Sequence, residues 1–153
     1  MKSGNKYFSN SQLPLIESVL NRIIPAKEKM PGASEIALGF VDSAVRGSST
    51  LSRLFGAGMA EIDVKAHNTY SKGFTQIADD QKDDILRAIE VESPDFFGEL
   101  VKQTYNGYYT NPRVLELLGL DSNAPQPRGH RLEEGNFALT ENVIKRGVAY
   151  RQV

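Results

Sequence analysis

Two histidines, four aspartates in one stretch and a pair of closely spaced glycines are the residues of this chain whose types and spacing could do chemistry. His67 and His130 are the available imidazoles, and no local pattern of metal-ligand spacing surrounds either. An ordinary surface or hydrogen-bonding role is therefore predicted for both. Asp79, Asp80, Asp83 and Asp84 bring four carboxylates together, the raw material of a hard-cation site. They lack the alternating oxygen ligands and terminal glutamate of a calcium loop, and acids are favoured at a helix start by the helix dipole. A solvated helix start is the reading they support. Gly56-Ala57-Gly58-Met59-Ala60 matches part of a phosphate-binding loop but lacks the preceding strand, the third glycine and the spaced acid; a loop between helices is predicted there. The chain has no cysteine, which removes disulfides, thiolate metal sites and a thiol nucleophile. Nucleophile-elbow and Walker patterns are also absent. An independent enzyme working through His67, His130, Glu133 and Glu134 would rest only on those residues being available.

The unusual feature is aromatic. Tyr105-Asn106-Gly107-Tyr108-Tyr109-Thr110-Asn111-Pro112 sets three tyrosines around a glycine, with Phe96 and Phe97 upstream. Tyrosine rings bury large areas while their hydroxyls keep hydrogen-bonding capacity, so such clusters serve as protein-binding hot spots. Read as a loop between two helices, the cluster either seals that junction or faces a partner. Tyr108 and Tyr109 are weighted towards the partner, and Tyr105 is divided evenly. Adjacent Phe96 and Phe97 cannot both point into one narrow core stripe, so one belongs to a second packing surface. The expected interface is Phe97, Tyr105, Tyr108, Tyr109 and Pro112, joined by Phe137 and Tyr150 from the C-terminal region.

Helices must position these residues. Leu13, Ile16, Val19, Leu20, Ile23 and Ile24 recur at helical spacing after Ser9-Asn10-Ser11 and stop at Pro25. A second helix from near Ser34 is predicted to bury Ile36, Ala37, Phe40, Val41, Ala44 and Val45 and to end at Gly47. Leu51, Leu54, Phe55, Met59 and Ile62 continue the period, with a break predicted at Gly56 and Gly58. Asp79-Asp80 opens a helix carrying Ile85, Leu86, Ile89 and Val91, Ser93-Pro94 opens another with Phe96, Phe97, Leu100, Val101, Thr104 and Tyr105, and Asn111-Pro112 opens a last one ending at Gly119. From Asp121 prolines and glycines replace the helical period, yet Leu132, Phe137, Leu139, Val143, Ile144, Val148, Tyr150 and Val153 remain. The expected architecture is all-α: a compact bundle of about six helices over residues 1–120 and an extended C-terminal arm over 121–153 that packs on the domain or on a partner.

The chain has 153 residues, 40% hydrophobic and 24% charged, enough for one domain with its own core. A net charge of −1 with no long single-sign run gives no footprint for nucleic acid or an anionic membrane surface. No apolar stretch approaches the roughly 20 residues of a membrane span, so no direct membrane insertion is expected. Residues 1–8 carry no apolar stretch of a secretory signal.

Several ordered phrases resemble the gluconate 2-dehydrogenase subunit 3 family. They are Leu20-Asn21-Arg22-Ile23-Ile24-Pro25, Pro31-Gly32-Ala33, Phe40-Val41-Asp42, Phe74, Asp80-Gln81, Asp95-Phe96-Phe97, Gly107-Tyr108-Tyr109-Thr110-Asn111-Pro112 and Leu118-Gly119, spanning about residues 8–119. The resemblance implies a non-catalytic small subunit with no cofactor of its own. It would bind and stabilise a large FAD-containing subunit of the glucose-methanol-choline type, which oxidises a sugar or polyol, often with a cytochrome c subunit completing the electron path. In many relatives a twin-arginine signal on the small subunit exports the folded pair, so the resemblance implies the periplasm. This N-terminus shows no Arg-Arg pair, and the cytoplasm is the alternative. A stand-alone homo-oligomeric scaffold whose arm swaps between copies is the rival reading.

Overall fold

The computed structural model describes residues 6–120 and, beyond them, Lys145. Among these residues the order of elements is α1 (Leu13–Ile23), α2 (Ala33–Ile36), α3 (Leu38–Arg46), α4 (Ser49–Tyr70), a 3-10 turn (Phe74–Gln76), α5 (Asp79–Glu92), α6 (Pro94–Tyr109) and α7 (Pro112–Leu117). The fold is all-α, as the periodicity predicts. Phe137, Tyr150, His130, Glu133, Glu134 and the predicted arm lie outside the described residues.

Local chemistry sets the helix ends. Ile24 is extended at φ −131°, ψ 94°, the conformation that a following proline imposes, and α1 stops there. The α1 start is organised by Gln12, whose Oε1 accepts the Ser9 N–H at 3.0 Å while the Ser9 carbonyl accepts from Gln12 and Leu13. Ser48 caps α4 through its hydroxyl and Asn111 caps α7 through Oδ1. Ser93 stands at the start of α6, but its hydroxyl donates to Glu61 Oε2 at 2.7 Å and ties α6 to α4 instead of capping. Gly119, at φ +73°, follows the end of α7 as expected.

The core is one cluster threaded by α6, which packs against all six other helices. Ile16, Val19 and Leu20 of α1, Val41 and Val45 of α3, Phe55 and Ile62 of α4, Ile85 and Ile89 of α5, and Phe96, Leu100 and Tyr108 of α6 are all buried in it. Two long-range polar ties join the ends. Asp42 Oδ1 accepts the backbone N–H groups of Tyr7 and Phe8, at 2.9 and 3.0 Å, holding the Phe8 ring in the core. Asn21 Oδ1 accepts the Ser34 N–H at 3.0 Å, so α1 supplies the cap that α2 does not make for itself.

Four expectations are corrected. The helix predicted from Ser34 is two helices divided at Ala37, and both pack on α6. Phe40, expected in the core, is 42% exposed, because the buried line is Ala33, Ala37, Val41 and Val45 and Phe40 falls beside it. The break predicted at Gly56 and Gly58 is absent: α4 runs unbroken for 22 residues. The reason is packing, since a Cβ on Gly58 would sit 2.3 Å from the Phe96 ring, and the glycine lets α6 approach. Tyr105 to Tyr109, read as a loop, form the last turn of α6. Gly107 lies in that turn because a Cβ there would be 2.8 Å from Phe40 Cβ and 3.1 Å from Ala37 Cβ, the point where α3 crosses.

Candidate partner interface

Because α6 continues to Tyr109, its aromatic residues fall into two stripes one position apart. Phe96, Leu100, Thr104 and Tyr108 form the inner stripe, all buried. Thr104 is reconciled with this setting by donating its hydroxyl proton to the Leu100 carbonyl at 2.6 Å. Phe97, Val101, Tyr105 and Tyr109 form the outer stripe at i, i+4 spacing; the first two are half-buried and the tyrosines 46% and 47% exposed. The expectation that Phe96 and Phe97 part company therefore holds, with Phe96 inside and Phe97 on the second surface.

Tyr108 is placed differently from the sequence expectation. It is 1% exposed, and its hydroxyl donates to the Pro31 carbonyl at 2.7 Å, closing the loop between α1 and α2 onto α6. Burial pushes its hydroxyl pKa above the ordinary tyrosine value, with Tyr109 and Glu35 adding to the shift. Within this chain Tyr108 is core, because the helix period that places Leu100 and Thr104 inside takes it inside too. Its neighbours remain outside. Tyr109 meets Tyr105 edge-on at 5.8 Å between ring centroids and Tyr108 at 5.2 Å, so the exposed rings are braced by a buried one. Pro112 is exposed at the first turn of α7, and Leu117, Leu118 and Leu120 are also exposed, at 42%, 47% and 54%. An ion pair between Arg113 and Glu35 anchors α7 to α2.

Beside the outer stripe runs a groove of about 340 Å³ between α5, α6 and the end of α1. Phe97, Val101, Tyr105, Ile23 and Leu86 give it an apolar lining. At its edge Arg22 makes a bidentate pair with Asp83, both contacts 2.7 Å, and reaches Asp79 at 2.9 Å. The four-aspartate stretch is thus a helix start in which three of the four charges are taken up locally: Asp79 also meets Lys82, and Asp84 meets Arg87. Hydrogen bonding from Arg22 holds the Asp83 carboxyl below the usual carboxylate range. With its pKa lower folded than unfolded, Asp83 contributes stability above its unfolded value of about 3.9. That contribution is lost as the pH falls through this value towards the folded one. Asp83→Asn is accordingly expected to lower the urea midpoint at pH 7 and to flatten its fall between about pH 5 and 2, checked by denaturation series of both proteins.

The other chemical candidates stay apart. His67 is exposed near the end of α4, with Nδ1 3.0 Å from the Asp63 carbonyl, a hydrogen-bonding role of the kind expected. Among the described residues no group of three metal-ligating side chains comes together. Gly56 and Gly58 lie inside α4 and open no phosphate cradle. No helix of the described residues is long and apolar enough to cross a membrane.

The family model for gluconate 2-dehydrogenase subunit 3 matches residues 10–120. The chain belongs to that family. No curated protein and no solved structure matches it. The match covers the helical domain from just before α1 to just past α7 and includes both stripes of α6. A subunit 3 chain is part of a dehydrogenase assembly, which gives the exposed aromatic stripe its context. Sequence reasoning missed the groove, the Arg22–Asp83 pair and the anchoring by Asp42. The outer stripe was readable as Phe97, Val101, Tyr105 and Tyr109 once the helix is carried through Gly107. The pairing across α1 and α5 had no local signal.

Proposed function

We propose that this subunit 3 chain is a non-catalytic accessory subunit that binds and stabilises a large FAD-containing dehydrogenase subunit oxidising a sugar or polyol. The observation that carries the proposal is the outer stripe of α6, rigidly based and unpaired within the described chain, in a member of a dehydrogenase subunit family. Phe97, Tyr105, Tyr109 and Pro112 are its contact residues. Tyr108 supports them from beneath, and FAD belongs to the partner. Amphipathic rings on a fixed helix lose little conformational freedom on binding, which suits them to a stable interface. A cytochrome c subunit completes the electron path, and the assembly works in the periplasm.

Coexpression of this chain with the large subunit tests the proposal. The expected result is a complex with one flavin per pair, a flavin absorbance that resides in the large subunit, and a large subunit that loses solubility when expressed alone. A large subunit fully soluble and active by itself, with no complex formed, or stoichiometric flavin on the purified small chain, would overturn it.

A further inference from the structure

We infer that the groove between α5 and α6 is a docking site for the C-terminal segment of this same chain, residues 137–153. Three observations select that occupant. The groove is lined by Phe97, Val101, Tyr105, Ile23 and Leu86 together with the charged Arg22, Asp83, Arg87 and Glu90, and residues 137–153 bring Phe137, Leu139, Val143, Ile144, Val148 and Tyr150 beside their own charges. The charges are opposite. Asp79, Asp83, Asp84 and Glu92 of α5 are ion-paired, which leaves Asp80 and Glu90 as its carboxylates without an ion pair among the described residues, whereas residues 137–153 carry Lys145, Arg146 and Arg151 against Glu141, a balance of +2. Glu90 lines the groove, is exposed, and makes no ion pair among the described residues, so one carboxylate of the lining is open to a cationic side chain.

The tether permits the contact. Residues 121–136 link the last described position of the domain to the segment, and at roughly 3.3 Å per extended residue they reach any face of a domain this size. A tether of that length holds the segment at an effective concentration of about millimolar, so weak complementarity suffices for occupancy. The arrangement covers half of the outer stripe, around Phe97 and Val101, and leaves Tyr109 and Pro112 open. It stands whether or not the large-subunit proposal holds, since it concerns the chain alone. Where the partner does bind, seating or release of this segment becomes a step of assembly.

The experiment uses the full chain alone, with Tyr150 replaced by the photoreactive analogue p-benzoylphenylalanine and equal amounts of light and isotope-labelled protein mixed. The expected result is crosslinking to peptides of α5 and α6 carrying Leu86, Glu90, Val101 or Tyr105, with light joined only to light and heavy only to heavy. Charge reversal at Lys145→Glu, Arg146→Glu and Arg151→Glu, which leaves the helical domain untouched, should cut that yield by roughly fivefold or more, as should high salt. Crosslinks elsewhere on the domain, none above an irradiated denatured control, light-to-heavy crosslinks that reveal a second copy as the occupant, or a yield indifferent to charge reversal would each overturn the assignment.

Discussion

Phe96→Ala is expected to lower the folding stability by about 3–5 kcal/mol, one of the two largest effects anticipated for a single substitution in this chain. The ring is 2% exposed, meets Phe55 edge-on at 5.5 Å and 86°, and lies directly against Gly58 of α4. Its removal leaves a cavity where α4, α5 and α6 converge, bounded on one side by a residue with no side chain to move in. The reciprocal substitution gives the sharper test. In an exposed helix interior, glycine to alanine stabilises by about 1 kcal/mol. At Gly58 the sign should reverse, because the new Cβ would stand 2.3 to 2.4 Å from three carbons of the Phe96 ring, and overpacking of this kind costs about 1–3 kcal/mol. In the Phe96→Ala background the obstacle is gone and Gly58→Ala should become neutral or stabilising. A double-mutant cycle from urea denaturation at constant m-value measures the coupling; additive effects would show that the two helices do not meet as described.

The same contact explains what was legible in the sequence. Hydrophobic period and end signals gave most of the described helices because those are local properties: Pro25 stops α1, Asn111 caps α7, and the aspartates open α5. Two of the misreadings share one cause. A glycine at Gly58 or Gly107 reads locally as a helix breaker, yet each sits inside a helix because another element needs the room its missing Cβ leaves. The identity of that element, Phe96 in one case and Ala37 with Phe40 in the other, depends on residues far away in the chain. The candidate site suffered directly. Treating Gly107 as a turn broke the i, i+4 row from Phe97 to Tyr109, so the tyrosines were recognised by type while their assignment to the core or the surface was lost. Tyr108 went inside because the α6 period carries it there, and Pro31, which accepts its hydroxyl, comes from the loop after α1. Family resemblance fared better, because it rests on ordered residue types and does not require knowing which face each one occupies.

The division of labour between the two adjacent tyrosines is the second large effect. Tyr108→Ala is expected to cost about 3–5 kcal/mol of folding stability, from lost burial and the cavity left against the α1–α2 loop. Tyr108→Phe, which keeps the ring but strands the buried Pro31 carbonyl, should cost about 1–3 kcal/mol. Tyr109→Ala removes a ring that is 47% exposed and loses edge contacts to Tyr105 and Tyr108, so it should reduce folding stability by no more than about 1.5 kcal/mol. Against the large subunit the order inverts. If Tyr109 is an anchor of the interface, its truncation should weaken the complex by roughly 30-fold or more, the scale of a 2 kcal/mol hot spot, while Tyr108→Phe should leave affinity within about threefold. Thermal denaturation of the free subunit and titration of the large subunit with each variant give both axes. The contrast is diagnostic because the residues are neighbours on one helix turn: general damage to α6 would move stability and affinity together, whereas a stripe built for a partner separates them. Should Tyr109→Ala bind as tightly as the unsubstituted subunit while Tyr108→Ala loses binding only in proportion to its unfolded fraction, the partner contacts another face.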